Sequence, residues 1–419
     1  MTQLRTGPRP LGLHLAAAGA ISASSLLAWP LLRSGWRPWS ENPPPDAEKL
    51  LPSLANADPD AFAEALTVEI ARRHDAFLTG LETYRAHPFR RIADPPPPVW
   101  ESGAAALRDY GVTDPSGVDG RPVLFVPSLV NRGYILDLLP DRSLMRFLAR
   151  SGFRPLLLDW GTPGEAELAM SLDDVIGGTM RQALEAACDC AGGRPVPVVG
   201  YCMGGTMATG LAAIEPDRVG ALGLLATPWD FHAASGGPPP TVALGRPTLE
   251  GILTTMGCLP VDVLQALFFS LDPALGWAKF RRFARMNANG PGAEAFVALE
   301  DWLNDGVPLA GAVARECLFG WYGENAPASG KWNVCGTAVL PERIRAPSFA
   351  AIPAGDRIVP PASAEALASR LPNAETISPR SGHIGMTVGG NAPETLWIPL
   401  AAWLDTCTKM RRKRNFSQC

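Results

Sequence analysis

The chain has 419 residues, 47% of them apolar and 19% charged, which is enough apolar material for one large core or for two domains. Its net charge of -4 and pI of about 5.8 argue against a nucleic-acid partner. The eight cysteines form no Cys-x-x-Cys pair and have no histidine at ligand spacing, so we predict no metal site and expect thiols in a reducing compartment.

The first feature along the chain is an apolar segment, residues 11–32, that follows Arg5 and Arg9. Histidine, serine and proline residues interrupt it, and we expect these interruptions to be too many for a membrane span. The favoured interpretation is a helix that packs on the protein or associates with a surface. A signal peptide, a membrane anchor and a disordered tail remain alternatives.

Residues 46–84 carry apolar side chains at spacings of three and four, which predicts helices. The run "ADPPPPVW" after them is typical of a rigid linker. We therefore predict an N-terminal helical region over residues 1–120.

From Pro122 onward the pattern alternates between buried strands and helices. The strands are predicted in "PVLFVPSLV", "FRPLLLDWG", "PVPVVG" and "VGALGLLATP", with helices between them. Strand character returns in "APSFAAIPAGD" and "AETISPRSGH". Short connections between alternating strands and helices predict an α/β fold with a mostly parallel sheet and helices on both faces.

The alternation is interrupted by residues 232–343, which are helical and rich in tryptophan and phenylalanine. We predict that this segment is a helical cap, inserted late in the sheet over the carboxyl ends of the strands. The predicted α/β core then comprises residues 121–231 and 344–405, and residues 406–419 form a basic, solvated tail.

The segment Gly200-Tyr201-Cys202-Met203-Gly204 lies between a predicted strand and a predicted helix. This is the G-x-C-x-G form of the nucleophile elbow, in which cysteine replaces the usual serine. The backbone N–H of Met203, at the start of the helix, is one predicted oxyanion donor. A second is the N–H of Leu129, in the loop after the first core strand.

A nucleophile at an elbow needs a base and an acid, which usually follow it in the order acid, histidine. Only His232 and His383 follow Cys202 in the sequence, and His383 lies in the loop after the last predicted strand. Asp356 lies in the loop after the preceding strand. The sequence therefore predicts a catalytic triad of Cys202, His383 and Asp356.

These motifs resemble those of the polyhydroxyalkanoate synthases. "GYCMGGT" is similar to their modified lipase box, and "VPSLVNRGYILDLLPDRSLMRFLARSGF" to the segment after their first core strand. "CGTAVLPERIRAPSFAAIPAGDRIVPPASA" and "SGHIGM" resemble the segments with their catalytic aspartate and histidine. The resemblance covers residues 122–403 and is closest to the shorter synthases that act with a partner subunit.

The resemblance implies an α/β-hydrolase fold and a cytoplasmic acyltransferase. Such an enzyme polymerises (3R)-hydroxyacyl groups from coenzyme A thioesters into polyester, without a cofactor. A homodimer or a partner subunit, and a granule or lipid surface, are the further partners it implies. Two alternatives remain: a cysteine hydrolase with the same triad, acting as a thioesterase, esterase or depolymerase, and a non-catalytic granule protein.

Overall fold

The computed structural model describes residues 5–36, 46–92 and 94–416, and these divide into two compact units. One unit combines the described part of residues 1–90 with residues 265–304. The other comprises the described part of residues 91–264 and 305–419. We call them the helical unit and the sheet unit, and each is described by itself.

The helices, with their bounds, are α1 Leu11–Arg33, α2 Ala47–Asn56, α3 Pro59–Ala86, α4 Pro115–Val118, α5 Leu144–Arg150, α6 Glu165–Leu168, α7 Arg181–Cys190, α8 Met203–Ile214, α9 Pro240–Ala243, α10 Arg246–Met256, α11 Val261–Phe269, α12 Leu275–Phe283, α13 Pro291–Asn304, α14 Gly311–Arg315, α15 Pro361–Ala368, α16 Gly385–Val388 and α17 Ile398–Phe416. Three π-helical segments adjoin α7, α14 and α17: Asp174–Met180, Glu316–Gly323 and Pro393–Trp397.

The strands are β1 Pro98–Ser102, β2 Ala105–Asp109, β3 Arg121–Val126, β4 Asp137–Leu139, β5 Arg142–Ser143, β6 Phe153–Asp159, β7 Val196–Tyr201, β8 Val219–Leu225, β9 Cys258–Leu259, β10 Leu309–Ala310, β11 Asn333–Val334, β12 Thr337–Ala338, β13 Ser348–Ala351 and β14 Ala374–Ile377.

The main sheet has the strand order β1-β2-β6-β3-β7-β8-β13-β14. All pairs from β6 to β14 are parallel, and β1 and β2 are added as an antiparallel edge. Strands such as β8 are buried along their whole length, because helices cover both faces of a parallel sheet. The carboxyl ends of β3, β7, β8 and β13 therefore meet at one edge.

Residues 91–120 differ from the predicted N-terminal helical region. They supply β1 and β2, which extend the sheet beyond β6. The five residues "AALRD" are too few for a sequence pattern to mark as a strand, yet Ala106 and Leu107 are buried once β2 pairs with β6. The predicted basic tail also differs, because α17 continues through it to Phe416.

The insertion after β8 does not form one cap. Its outer parts, residues 232–264 and 305–343, belong to the sheet unit, whereas residues 265–304 belong to the helical unit. There, aromatic side chains of α12 and α13 share a core with α1 and α3. The core residues are Ala18, Phe77, Leu81, Tyr84, Trp277, Phe280, Phe283, Ala293, Phe296 and Val297.

Polar contacts support the packing of the helical unit. Arg5 forms a salt bridge with Asp301 at 2.6 Å, and the hydroxyl of Tyr84 donates to the same carboxylate at 3.0 Å. Lys279 pairs with the buried Glu300 at 2.8 Å. Buried charges are tolerated only when they are paired. The contacts of Asp301 fix how the N-terminal residues meet the inserted helices, and the Lys279–Glu300 pair connects α12 with α13.

Helix α1 meets the length and composition needed to cross a membrane, and it is the one such helix in the described parts of the chain. That its polar residues exclude a span stays a prediction. Ser22, Ser24 and Ser25 each donate their hydroxyl to a backbone carbonyl of the preceding turn. Hydroxyls satisfied within the helix lower the cost of an apolar environment.

Candidate active site

Cys202 occupies the sharp corner between β7 and α8. Its backbone angles, φ 55° and ψ -129°, are ones that L-residues rarely adopt. The corner is held by the Cys202 N–H, which donates to the Leu225 carbonyl at 2.8 Å, and by the Gly205 N–H, which donates to the Cys202 carbonyl at 2.9 Å. The thiol is thereby presented at the carboxyl edge of the sheet, partly exposed to solvent.

The corner requires glycine on its flanks. A Cβ atom on Gly204 would lie 2.1 Å from the Val126 carbonyl oxygen, and one on Gly200 would lie 2.4 Å from the Cα of Gly205. Both distances are impossible for a real side chain, so the corner packs directly on the end of β3. This close approach explains why both flanking positions of the G-x-C-x-G pattern are glycine.

The two predicted oxyanion donors lie on either side of this contact. Met203 is the first residue of α8, where backbone N–H groups have no partner within the helix. Leu129 lies in the loop after β3, where the Ser128 hydroxyl accepts the Val130 N–H at 3.4 Å. The roles of Met203 and Leu129 as donors to an oxyanion stay predictions.

Asp356 follows β13 and is held at both carboxylate oxygens. Oδ1 accepts the N–H groups of Ile358 at 2.8 Å and Val359 at 2.9 Å. Oδ2 lies 2.7 Å from Nδ1 of His383. The carboxylate and the imidazole are both buried, so their contact is shielded from water.

His383 follows β14 and interacts with Cys202 as well as with Asp356. Burial alone would lower the pKa of His383, but the charge of a Cys202 thiolate, with hydrogen bonds to Asp356 and Cys202, outweighs it and raises this pKa to about 10. These contacts place the His383 imidazole between the sulfur of Cys202 and the carboxylate of Asp356. The structure thus brings Cys202, His383 and Asp356 together, as the triad predicts.

Two tyrosines near the thiol were missed by the sequence analysis. The hydroxyl of Tyr201 donates to the His383 carbonyl oxygen at 3.3 Å, and the two rings lie 5.2 Å apart. Burial raises the pKa of Tyr322, and the Cys202 charge raises it further. The only available signal for Tyr201 was its place beside the nucleophile, and Tyr322 lies in the insertion, where no motif marks it.

His232, the other histidine after Cys202, has a different partner. Its Nε2 lies 2.9 Å from the backbone carbonyl oxygen of Tyr322, and its N–H donates to Asp230 Oδ1 at 2.9 Å. Asp230 also accepts the side-chain amide of Asn325 at 2.8 Å. These contacts tie the end of β8 to the insertion, which gives His232 a structural place outside the triad.

No group of three or more His, Cys, Asp or Glu side chains within the described ranges is arranged to hold a metal ion. The groups that the site brings together are a thiol, an imidazole and a carboxylate. A thiolate activated by a histidine that a carboxylate orients can attack a carbonyl carbon and form an acyl-enzyme.

Comparison with known proteins shows which family the chain is similar to. Residues 121–389 match the model of the α/β hydrolase fold. The chain is 31% identical to the poly(3-hydroxyalkanoate) polymerase subunit PhaC of Haloferax mediterranei over 67% of this chain and 58% of that protein. It is 30% identical to the PhaC subunit of Haloarcula marismortui, covering 67% of this chain and 60% of that one.

The match to a third relative covers a larger share of that protein's length. The PhaC subunit of Synechocystis is 30% identical over 293 residues, which are 68% of this chain and 77% of that protein. The match to the two haloarchaeal relatives spans under two thirds of their length, whereas this one spans more than three quarters. The chain belongs to the α/β-hydrolase fold family and, within it, to the family of poly(3-hydroxyalkanoate) polymerase PhaC subunits.

Proposed function

We propose that the protein is an acyltransferase that polymerises (3R)-hydroxyacyl groups from coenzyme A thioesters into polyhydroxyalkanoate. The proposal rests on the contacts that join Asp356, His383 and Cys202 in a chain of the PhaC family. Oδ2 of Asp356 lies 2.7 Å from Nδ1 of His383, and His383 is hydrogen-bonded to Cys202. No cofactor is required, since the thioester itself supplies the reactive carbonyl.

In the first half-reaction the Cys202 thiolate attacks the thioester carbonyl. The new C–S bond forms as the bond to coenzyme A breaks, and the departing thiolate takes the proton held on His383. One thioester replaces another, so the step costs little free energy. Asp356 keeps the imidazole oriented and stabilises its charged form.

In the second half-reaction a hydroxyl of the growing polyester attacks the acyl group on Cys202. His383 accepts the hydroxyl proton, an ester bond forms, and the thiolate of Cys202 is released. Converting a thioester into an ester is downhill, which drives chain growth. The N–H groups of Met203 and Leu129 would stabilise the oxyanion in both halves.

A hydrolase is the second candidate, and the partial exposure of Cys202 favours it. Water could replace the polyester hydroxyl in the second half-reaction, and the same triad would then act as a thioesterase. The two functions share every residue up to the acyl-enzyme. They differ only in which hydroxyl reaches the Cys202 thioester.

The test is incubation of the purified chain with (R)-3-hydroxybutyryl coenzyme A, following free thiol and insoluble polyester together. Thiol release matched by polyester supports the polymerase, whereas thiol release with free 3-hydroxybutyrate alone would establish the hydrolase. Cys202→Ala should abolish both signals. Cys258→Ser, at a partly buried cysteine of β9, is the matched control and should retain them.

We further propose that the protein works in the cytoplasm, with a second copy or a partner subunit. The word "subunit" in the names of the relatives supports an assembly. Specific activity that rises with the concentration of the purified chain would support self-association. Polyester formation at a concentration-independent rate by a monomer would contradict both kinds of assembly.

A further inference from the structure

One face of helix α1 is apolar and exposed. Within the helical unit the opposite face is buried, with Ala18 in the shared core and Trp29 stacked on Phe62 of α3 at 3.9 Å. The outward face presents large side chains to solvent, and Leu27 is 73% exposed. These side chains are Leu13, Leu15, Leu26, Leu27 and Leu31.

The outward face contains little that needs water. No charged residue occurs between Leu11 and Leu32, and the serine hydroxyls are bonded to the helix backbone. His14 faces the interior, 5.1 Å from the ring of Phe269, and burial followed by the charge of Lys279 lowers its pKa to about 4. Residues 11–32 of the helix are therefore uncharged at neutral pH.

Within the N-terminal sequence that contains the helix, the charged residues have one sign. Residues 1–40 contain arginines and no acidic residue, although the whole chain has a net charge of -4. Arg33 is exposed at the carboxyl end of α1, next to an exposed Trp36. An arginine and a tryptophan at the edge of an apolar face are the residues that favour the headgroup region of an anionic membrane.

We propose that α1 lies in the surface of an anionic phospholipid membrane, with its outward face inserted among the acyl chains. The helix lies in the membrane plane because its inner face is retained by α3 and the inserted helices. A spanning orientation would require Ala18 to leave the core of the helical unit and Trp29 to leave its stack on Phe62. At 1.5 Å per residue the face is about 34 Å long, enough for several leucines to enter one leaflet.

The test uses the full-length protein and flotation with phosphatidylcholine vesicles, with or without phosphatidylglycerol. We expect binding to the anionic vesicles that weakens as salt is raised, and much weaker binding to the neutral ones. Equal binding to both kinds of vesicle would overturn the proposal. So would binding to suspended polyester particles with none to vesicles.

Two variants separate the apolar face from the charge. Leu27→Glu combined with Leu31→Glu should weaken binding about tenfold or more, because both side chains lose their burial in lipid. Arg33→Gln should weaken binding to anionic vesicles about fivefold and leave neutral vesicles unaffected. Leu244→Glu, at a side chain that is 83% exposed in the sheet unit, is the matched control and should bind as the native protein does.

Folding and orientation are checked separately. Thermal unfolding of each variant should match that of the native protein, since the altered side chains are exposed. Release of the bound protein by alkaline carbonate is expected for a helix that lies in the surface. Resistance to carbonate would show a spanning anchor and overturn the in-plane orientation, and native binding by the leucine variant would overturn the assigned face.

Discussion

At the scale of single residues, Asp356 is the best-anchored member of the predicted triad. Two backbone N–H groups hold one of its oxygens, so the other is fixed in place for His383. Asp356→Asn removes the charge and replaces the carboxylate, which only accepts a hydrogen bond from the imidazole, with an amide that can donate or accept. We expect turnover to fall by roughly 10²- to 10⁴-fold, with slow acylation retained and acyl-enzyme accumulating.

Mass spectrometry of the peptide containing Cys202, taken during turnover of Asp356→Asn, measures that accumulation. Asp230→Asn is the matched control, because Asp230 also follows a strand and also holds a histidine, through the His232 N–H. It should leave turnover within a few-fold of native. A loss in the control as large as that in Asp356→Asn, or a label on another cysteine, would contradict the assigned triad.

The protonation of His383 should depend on Cys202. In the native protein the pKa of His383 is raised to about 10, against burial, by the Cys202 charge and by hydrogen bonds to Asp356 and Cys202. Cys202→Ala removes two of these contributions, so the pKa should fall. A titration of the His383 ring-proton NMR signal measures it, and an unchanged midpoint would contradict the contribution of Cys202 to this pKa.

The same shift has a consequence for stability. His383 itself binds more protons in the folded protein than in the unfolded chain between pH 6.5 and about 10, because its folded pKa is the higher one. The free energy contributed by His383 is present below pH 6.5 and is lost as the pH rises to about 10. The loss should be smaller in Cys202→Ala, as measured by denaturant unfolding at several pH values.

The sequence contained enough to predict Cys202, Asp356 and His383, because each follows a recognisable strand in the usual chain order. It did not predict Tyr201 or Tyr322. A tyrosine in an apolar segment looks like any core aromatic until its hydroxyl partner is known. That partner for Tyr201 is the carbonyl of His383, 182 positions away, which no local pattern encodes.

At the scale of elements, the elbow depends on the close approach of α8 and β8. A Cβ on Gly205 would lie 1.9 Å from Oγ1 of Thr227 and 2.7 Å from its Cγ2. Gly205→Ala should therefore destabilise the protein by about 1–3 kcal/mol, as measured by denaturant unfolding, because Thr227 is buried and has little room to move.

Two further variants decide whether that loss comes from the contact. Gly178→Ala is the matched control, because a Cβ there meets nothing within 4 Å, and it should be neutral or slightly stabilising. Adding Thr227→Ala to Gly205→Ala should restore part of the loss. If the double variant is as unstable as the sum of its single changes, the clash is not the cause.

The parallel strands were predictable because burial on both faces makes them continuous apolar runs, as in β3 and β8. The edge strands β1 and β2 were not, because five residues beside a proline-rich segment carry little pattern. The continuation of α17 to Phe416 was missed because a basic run resembles a solvated end whether or not it is helical.

The insertion should restrict access to Cys202. Tyr322 lies near enough to Cys202 for the charge of that side chain to raise its pKa, in addition to the effect of burial. Its ring packs against that of Phe231, with the centroids 4.7 Å apart. Iodoacetamide should modify Cys202 faster than a bulky maleimide does, and Tyr322→Ala should raise the maleimide rate. The exposed Cys335 is an internal reference, and reagent ratios alike at both cysteines would indicate an open site.

At the scale of the whole molecule, the chain divides differently from its predicted domains. Residues 265–304 lie in the middle of the insertion, yet their core is shared with helices from the first 90 residues. Helical periodicity identifies which face of a segment is apolar, but it does not identify the partner of that face. The apolar faces of α3 and α12 were therefore visible in the sequence, and their pairing was not.

That pairing makes the inserted helices dependent on the N-terminal ones. Phe77 of α3 is fully buried, with its ring 5.1 Å from that of Trp277 and 6.3 Å from that of Phe280. Phe77→Ala removes this contact and leaves a cavity, at a cost of about 3–5 kcal/mol. Limited proteolysis should then cut more readily within residues 265–304, nearly two hundred positions along the chain from the change.

Val68→Ala is the matched control for this last prediction, because Val68 lies on the same helix with its side chain 64% exposed. Its cleavage pattern should match that of the native protein. If Phe77→Ala is cut only near its own position, the inserted helices hold their structure without α3. If cleavage increases within residues 265–304, the N-terminal region is what keeps the middle of the insertion folded, and the two segments act as one structural unit.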